Sequence, residues 1–243
     1  MNKLFFLIAV TITTLSVQAQ DSEKLPIIAY WSFDNDSGNT LIDSGPNKLN
    51  AVLKSKDDTQ KILTAEGMKG KALFLEAKSK VKYVIDDKKN LLNITPPYTI
   101  CAWVKKTAEK PKSMCIFSKK FDSHSTGYDF RISWNKLNSN VGNGSESFAV
   151  SSPYKSVKDN TWNHFAITND GEKIILFING ETAQMKIVPE DISNVTPKAN
   201  KAKAVIANYV GRPDAYNFVG LIDELYIIAK VLTNDELFQL AAP

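Results

Sequence analysis

The sequence is poor in the residues that build compact metal or redox centres. Its 243 residues include two cysteines and two histidines, and only two of its 30 basic residues are arginine. Two cysteines cannot staple a disulfide scaffold, and no His/Cys cluster has zinc-ligand spacing. Eleven glycines and ten prolines exclude a collagenous or low-complexity chain. Neither sign of charge dominates: 30 Lys+Arg stand against 26 Asp+Glu, a formal net charge of +4, and the signs are interspersed. A nucleic-acid binder carries a dominant basic stripe, so that partner class is set aside. Beyond the first twenty residues no apolar run approaches the roughly 20 residues that span a bilayer, so no transmembrane segment is expected there. What remains is ordinary globular composition, 43% hydrophobic and 23% charged. The chain is long enough to bury a large core without metal or disulfides.

The start of the chain has its own pattern. Met1-Asn2-Lys3 is a short positive segment, Leu4 to Leu15 is apolar apart from threonines, and Val17 and Ala19 are small. This is the layout of a secretory signal peptide cut before Gln20. The expectation is removal of residues 1–19, a single domain over 20–243, and a protein that is secreted, periplasmic or held at the cell surface. An oxidising compartment then permits a disulfide. Cys101 and Cys115 lie in successive strand-like runs, and the Lys- and Pro-bearing stretch from Lys105 to Lys112 reads as a hairpin loop. Paired antiparallel about that loop, the two cysteines fall opposite each other. The alternative is two small buried thiols.

From Ile27 onward short apolar runs alternate with Asn, Gly, Asp and Pro. Strands are expected at 27–33, 72–75, 80–85, 98–104, 114–119, 128–134, 148–151, 162–168, 173–178, 204–210 and 220–228. Asn169-Asp170-Gly171 and Asn179-Gly180 are hairpin signals, because Asn and Gly tolerate the positive φ of the primed turns. So many short strands with close turns predict an all-β sandwich or barrel. One helix signal stands out: Thr233-Asn234-Asp235-Glu236 is a capping box opening Leu237 to Leu240. No internal repeat and no linker divides the body of the chain.

The order of motifs resembles the laminin-G-like, concanavalin A-like jelly-roll domains of exported bacterial proteins. The matching pieces are Tyr30-Trp-Ser-Phe-Asp34, Asp43-Ser-Gly45 with Asn47 and Asn50, and Gly67-Met-Lys-Gly-Lys-Ala-Leu-Phe74. Next come Tyr98-Thr-Ile-Cys-Ala-Trp-Val104, Trp162-Asn-His-Phe-Ala-Ile-Thr168 and Leu176-Phe-Ile-Asn-Gly180. Val210-Gly211, Gly220-Leu-Ile-Asp-Glu-Leu225 and Leu232-Thr-Asn-Asp-Glu-Leu237 close the series. The resemblance implies two antiparallel sheets packed face to face, the first and last strands adjacent, and a short C-terminal helix. It also implies a calcium ion tying the first turn to the last strand. That would draw on Asp34, Asp36 and Asp223, since calcium takes hard oxygen ligands.

The superfold also carries glycosidases, which need two carboxyl groups about 5–9.5 Å apart. No run places alternate acidic residues on one strand face. Asp223 and Glu224 are adjacent and are expected to point to opposite faces, and His164 reads as a hydrogen-bonded structural histidine. A sugar site needs aromatic platforms and planar hydrogen-bonding groups. Trp103, Asp129, Arg131, Asn138 and Asn140 fall on the expected outer, concave sheet face, while Tyr154, Arg212, Asp214 and Tyr216 fall in loops. Trp134 alternates with core positions and reads as packing. The leading expectation is a secreted, non-catalytic module that binds a glycan or polysaccharide. The alternatives are an adhesion or structural domain with a protein partner, or a glycoside hydrolase with unrecognised acids.

Overall fold

Strand alternation and closely spaced turns leave paired strands as the way to satisfy this backbone. A computed structural model describes residues 24–107, 112–120, 126–183, 186–188, 194–211 and 215–242. The strands in the first part are β1 (Ile27–Trp31), β2 (Thr40–Leu41), β3 (Ala51–Lys54), β4 (Leu63–Glu66), β5 (Lys71–Leu75) and β6 (Lys82–Ile85). The middle holds β7 (Tyr98–Lys106), β8 (Ser113–Ser118), β9 (Thr126–Ser133), β10 (Lys136–Asn143) and β11 (Ser147–Ser151). Then follow β12 (Trp162–Asn169), β13 (Ile174–Ile178), β14 (Glu181–Thr182), β15 (Lys186–Val188), β16 (Val205–Ile206), β17 (Gly220–Ile228) and helix α1 (Asn234–Ala241). Among the described residues no helix is long and apolar enough to cross a membrane.

The strands form two antiparallel sheets. The first runs β14-β13-β12-β7-β17-β5-β4, with β1 also paired to β17; the second runs β15-β11-β10-β9-β8-β16-β6-β3-β2. The first and last strands are neighbours, as the resemblance implied, with Tyr30 opposite Tyr226 and Trp31 opposite Leu225. This is a two-sheet jelly-roll sandwich. Its core takes the expected inward residues: Ile100, Ala102 and Val104 of β7, Phe130 and Ile132 of β9, and Phe165 and Ile167 of β12. Truncating one of these phenylalanines to alanine costs about 3–5 kcal/mol, because the close-packed surroundings cannot refill the space.

A smaller cluster lies on the outer face of the first sheet. Cys101, Ala166, Phe177, Tyr226 and Ile228 pack there with Leu237 of α1. The helix opens on the expected capping box. Glu236 N donates to Thr233 Oγ1 and Thr233 N donates to the Glu236 carboxylate, at 3.3 and 2.9 Å.

The structure corrects the expected hairpin about Lys105–Lys112. β7 pairs with β12 and β17, whereas β8 pairs with β9 and β16, so the chain changes sheets between them. Cys101 and Cys115 therefore lie in different sheets, and both are free, buried thiols. The disulfide loses the register on which it rested. The expected signal peptide, with Arg212, Asp214 and His124, lies outside the described residues.

Candidate functional site

Of the three aspartates expected around calcium, Asp34 and Asp223 flank one turn, Gly67 to Gly70. Asp34 Oδ1 accepts from Lys71 N at 2.8 Å. Asp223 Oδ2 accepts from Met68 N and Lys69 N at 2.8 and 3.0 Å, and its Oδ1 from Glu224 N at 2.8 Å. A Cβ on Gly67 would strike the Asp223 carboxylate, and one on Gly70 would strike that of Asp34. Two carboxylates thus clamp the β4–β5 turn from either end.

Asp36 differs. Its Oδ1 accepts from Ile42 N at 2.9 Å, but its Oδ2 is buried without a partner. Burial pushes its pKa up to about 6, and burial does the same to Asp223. Asp34 and Asp36 share an open cavity of about 230 Å³ with Thr64 and Lys71. The orphaned oxygen and its neighbour fit a hard cation in part, although Lys71 opposes one. Asp223 does not fit, because backbone amides occupy its carboxylate. No group of three His, Cys, Asp or Glu side chains gathers at a metal-sized site among the described residues.

Asp223 and Glu224 also depart from simple alternation. Glu224 has φ 50°, and the β17 register shifts between Asp223 and Tyr226. Both carboxylates consequently serve the same side of the sheet. Glu224 accepts from the hydroxyls of Tyr30 and Tyr226 at 2.6 and 3.2 Å and lies 4.0 Å from Lys69 Nζ. Both residues are buried and committed to these partners, an arrangement that locks the first strand to the last.

Trp103 sits on this first sheet, opposite His164 and Asp223. Its ring meets His164 edge-on at 5.4 Å between centroids. Arg131 belongs to the second sheet. The expected pairing of Trp103 with Arg131 on one face is therefore corrected: the two side chains lie on opposite outer faces of the sandwich.

The other candidates do assemble on the second sheet. β9 turns Asp129 and Arg131 away from the core, and β10 does the same for Asn138 and Asn140. Asn140 Nδ2 reaches both Asp129 oxygens at 3.1 Å, and Asn140 N donates to Oδ1 at 3.0 Å. Arg131 lies 3.6 Å from Asp129 Oδ2 and 5.6 Å above the ring of Tyr216, which packs on Tyr209 at 5.1 Å. Burial is the largest influence and opposes the guanidinium charge, but Asp129 together with Cys115, Tyr216 and Tyr209 outweighs it and holds the pKa above its usual value. Arg131 Nε is buried without a partner, while 19% of the side chain stays exposed. Cys115, opposite Arg131, completes the floor.

At one end of this face the β9–β10 turn consists of Trp134 and Asn135, each with φ 54°. Two consecutive positive φ values make a type I′ hairpin. A left-handed conformation costs a residue with a side chain about 1–2 kcal/mol, so Trp is an expensive choice. The structure also overturns its assignment to packing: Trp134 is 54% exposed, with Lys112 Nζ 4.1 Å from its ring. Asn138 stiffens the turn by donating to Lys136 O at 2.8 Å and Ser133 O at 3.4 Å. The neighbouring loop carries Tyr154, 65% exposed, and abuts the turn where Val157 N donates to Asn135 O at 3.1 Å. Sequence reading missed Trp134, although Asn135 directly after a strand is a turn signal that would have displaced it from the core.

The concanavalin A-like lectin/glucanases superfamily model of laminin-G type matches residues 79–238. The chain belongs to this superfamily. No curated protein matches the sequence. Among solved structures, domain 4 of a GH43 extracellular arabinanase from Geobacillus stearothermophilus, solved with arabinotriose, is 22% identical at a TM-score of 0.63. That match covers 90% of this chain and all of the domain. The receptor-binding domain of botulinum neurotoxin mosaic serotype C/D is 15% identical at 0.63, covering 88% of this chain and 50% of its own. The sialidase CBM40 of Ruminococcus gnavus, bound to α2,3-sialyllactose, is 16% identical at 0.54, covering 73% of this chain and 97% of its own. This superfamily member thus spans about half of the toxin domain and nearly all of the other two. At these identities the likeness is one of fold.

Proposed function

We propose that this superfamily member is an exported, non-catalytic carbohydrate-binding module, and that it binds through the outer face of the second sheet. The observation that carries the reading is Arg131. Its guanidinium is pinned beside Asp129 and over Tyr216, yet keeps an unpartnered Nε and an exposed edge. A rigid fork of donors beside an aromatic ring suits paired hydroxyls or a uronic carboxylate. Arg131 and Tyr216 make the contact, Asp129 and Asn140 hold the arginine, and Asn138 supports the adjoining turn. The arabinotriose- and sialyllactose-bound neighbours lend support, as binding domains of the same fold. Export rests on the pattern of residues 1–19.

A structural calcium ion at Asp34 and Asp36 accompanies this reading, supplying charge compensation for the buried Asp36 oxygen when bound. The test is a glycan array probed with the exported chain in millimolar calcium and again in EDTA. Binding to a defined glycan set, lost in Arg131→Lys, is expected. Absence of binding under both conditions overturns the reading. A melting temperature identical in calcium and EDTA removes the ion.

A further inference from the structure

The buried Lys106 ammonium sits where two aromatic loops meet. Lys106 ends β7 in the first sheet, and its side chain is 1% exposed. Its Nζ donates to Asn135 Oδ1 at 2.8 Å and pairs with the carboxylate of Asp159. Asn135 belongs to the turn that carries Trp134, and Asp159 to the loop that carries Tyr154. One internal cation therefore joins the two loops, and Asn160 N closes the junction by donating to Lys106 O at 2.6 Å. A buried charge is costly unless it is paired. Here its partners are the two loops that hold the exposed rings.

The rings themselves run against folding economy. Trp134 occupies a left-handed backbone position and leaves more than half of its surface in water. Tyr154 is still more exposed, and each ring has a lysine ammonium nearby, Lys112 at 4.1 Å and Lys155 at 5.5 Å from the ring centroid. Strained backbone held by its surroundings clusters at ligand clamps. Two braced aromatic rings with polar rims suit the apolar face of a sugar ring and its surrounding hydroxyls. Trp134 follows the end of β9 and lies three positions beyond Arg131, about 10 Å at the rise of an extended strand. A single sugar ring cannot cover both.

We infer that Trp134 and Tyr154, braced by Lys106, form a second stacking subsite that extends the Arg131 face and selects oligosaccharide chains over single sugars. This rests on the binding reading above. The ammonium groups favour acidic chains, and neutral chains use the same stacking.

The test is an array carrying acidic and neutral glycans, each as monosaccharide, disaccharide and longer chain. It is probed with the wild type, Trp134→Ala/Tyr154→Ala and Arg131→Lys. Wild-type signal should rise with chain length. The double variant should lose that rise, with affinity for the longer chains falling at least about tenfold as two ring contacts are removed. Trp134→Phe should restore most of it. Lys106→Met tests the brace: length preference should weaken while a circular dichroism spectrum of the native type shows that the chain still folds. If Lys106→Met unfolds, the double variant alone decides. A wild-type length profile in the double variant overturns the inference and leaves the Arg131 reading standing. A wild type that binds no glycan overturns both.

Discussion

Trp103 presents its indole to the edge of His164 on the outer face of the first sheet, and neither ring's buried nitrogen, Trp103 Nε1 or His164 Nδ1, has a hydrogen-bond partner. Burial, with help from Lys69, lowers the His164 pKa to about 4. The imidazole is therefore neutral in the folded protein down to that pH.

An acid-sensitive stability follows. The unfolded chain takes up the His164 proton near pH 6.5, the folded chain only near 4, so the unfolded state binds more protons across that window. Stability falls as pH drops through it, by up to about 3 kcal/mol once below both values. Urea unfolding at stepwise pH should show a flatter acid limb for His164→Gln than for wild type. Parallel limbs in the two proteins would show that another group carries the loss.

The cysteines should behave as two inert thiols. Burial raises both pKa values well above the normal thiol range, and thiolate is the reactive form. The folded protein should resist alkylation at neutral pH, while the unfolded, unreduced protein should take up two equivalents. Uptake of none after unfolding would mean that the sheets had been joined by oxidation.

What the sequence revealed, and what it hid, follows from the chemistry of particular strands. β7, β9 and β12 were legible because an apolar residue fills every second, inward position: Ile100, Ala102 and Val104, Phe130 and Ile132, and Phe165 and Ile167. β10 was not: Lys136-Leu-Asn-Ser-Asn-Val-Gly-Asn143 is rich in residues that strands disfavour. Yet its asparagines are outward groups holding Asp129 and the adjoining turn. The crossing between β7 and β8 was hidden because a hairpin and a change of sheet both need only a polar connection. Asp129 and Arg131 share one face, as parity along β9 requires; Asn138 and Asn140 join them only through the β9–β10 pairing, and Tyr216, which reads as a loop residue, reaches Arg131 by tertiary packing. Trp103 was assigned to the wrong sheet because alternation distinguishes inside from outside, not one sheet from the other. Trp134 was missed because parity was carried one residue beyond the strand, into a left-handed turn.

Asp223 should matter through the turn that it clamps. Asp223→Ala leaves the amides of Met68, Lys69 and Glu224 without their acceptor, at a cost of about 2–4 kcal/mol. Asp223→Asn keeps an acceptor and sheds a buried charge, so it should cost clearly less. Thermal unfolding of the two variants in EDTA isolates this effect from any cation. Equal losses would show that the carboxylate charge, and not the hydrogen bonds, holds the turn.

Trp103 and Arg131 provide a test that separates the two faces of the sandwich. Trp103 is partly buried against His164 and contributes packing on the first sheet, so Trp103→Ala should destabilise by about 2–3 kcal/mol, below the range for a fully buried tryptophan. It should leave glycan affinity within about twofold, because the Arg131 face lies on the other sheet and distant, unconnected sites behave nearly independently. Arg131→Lys should do the reverse. The lysine keeps a charge for the buried Asp129, so stability should fall far less than when that carboxylate is left unpaired, but it loses the planar fork over Tyr216. Affinity should fall by about tenfold or more, in proportion to a lost charge-assisted hydrogen bond. Isothermal titration against a glycan identified on the array, paired with urea unfolding of the same samples, reads both quantities. If Trp103→Ala weakens binding as much as Arg131→Lys while staying folded, the ligand engages the first sheet and the proposed face is wrong.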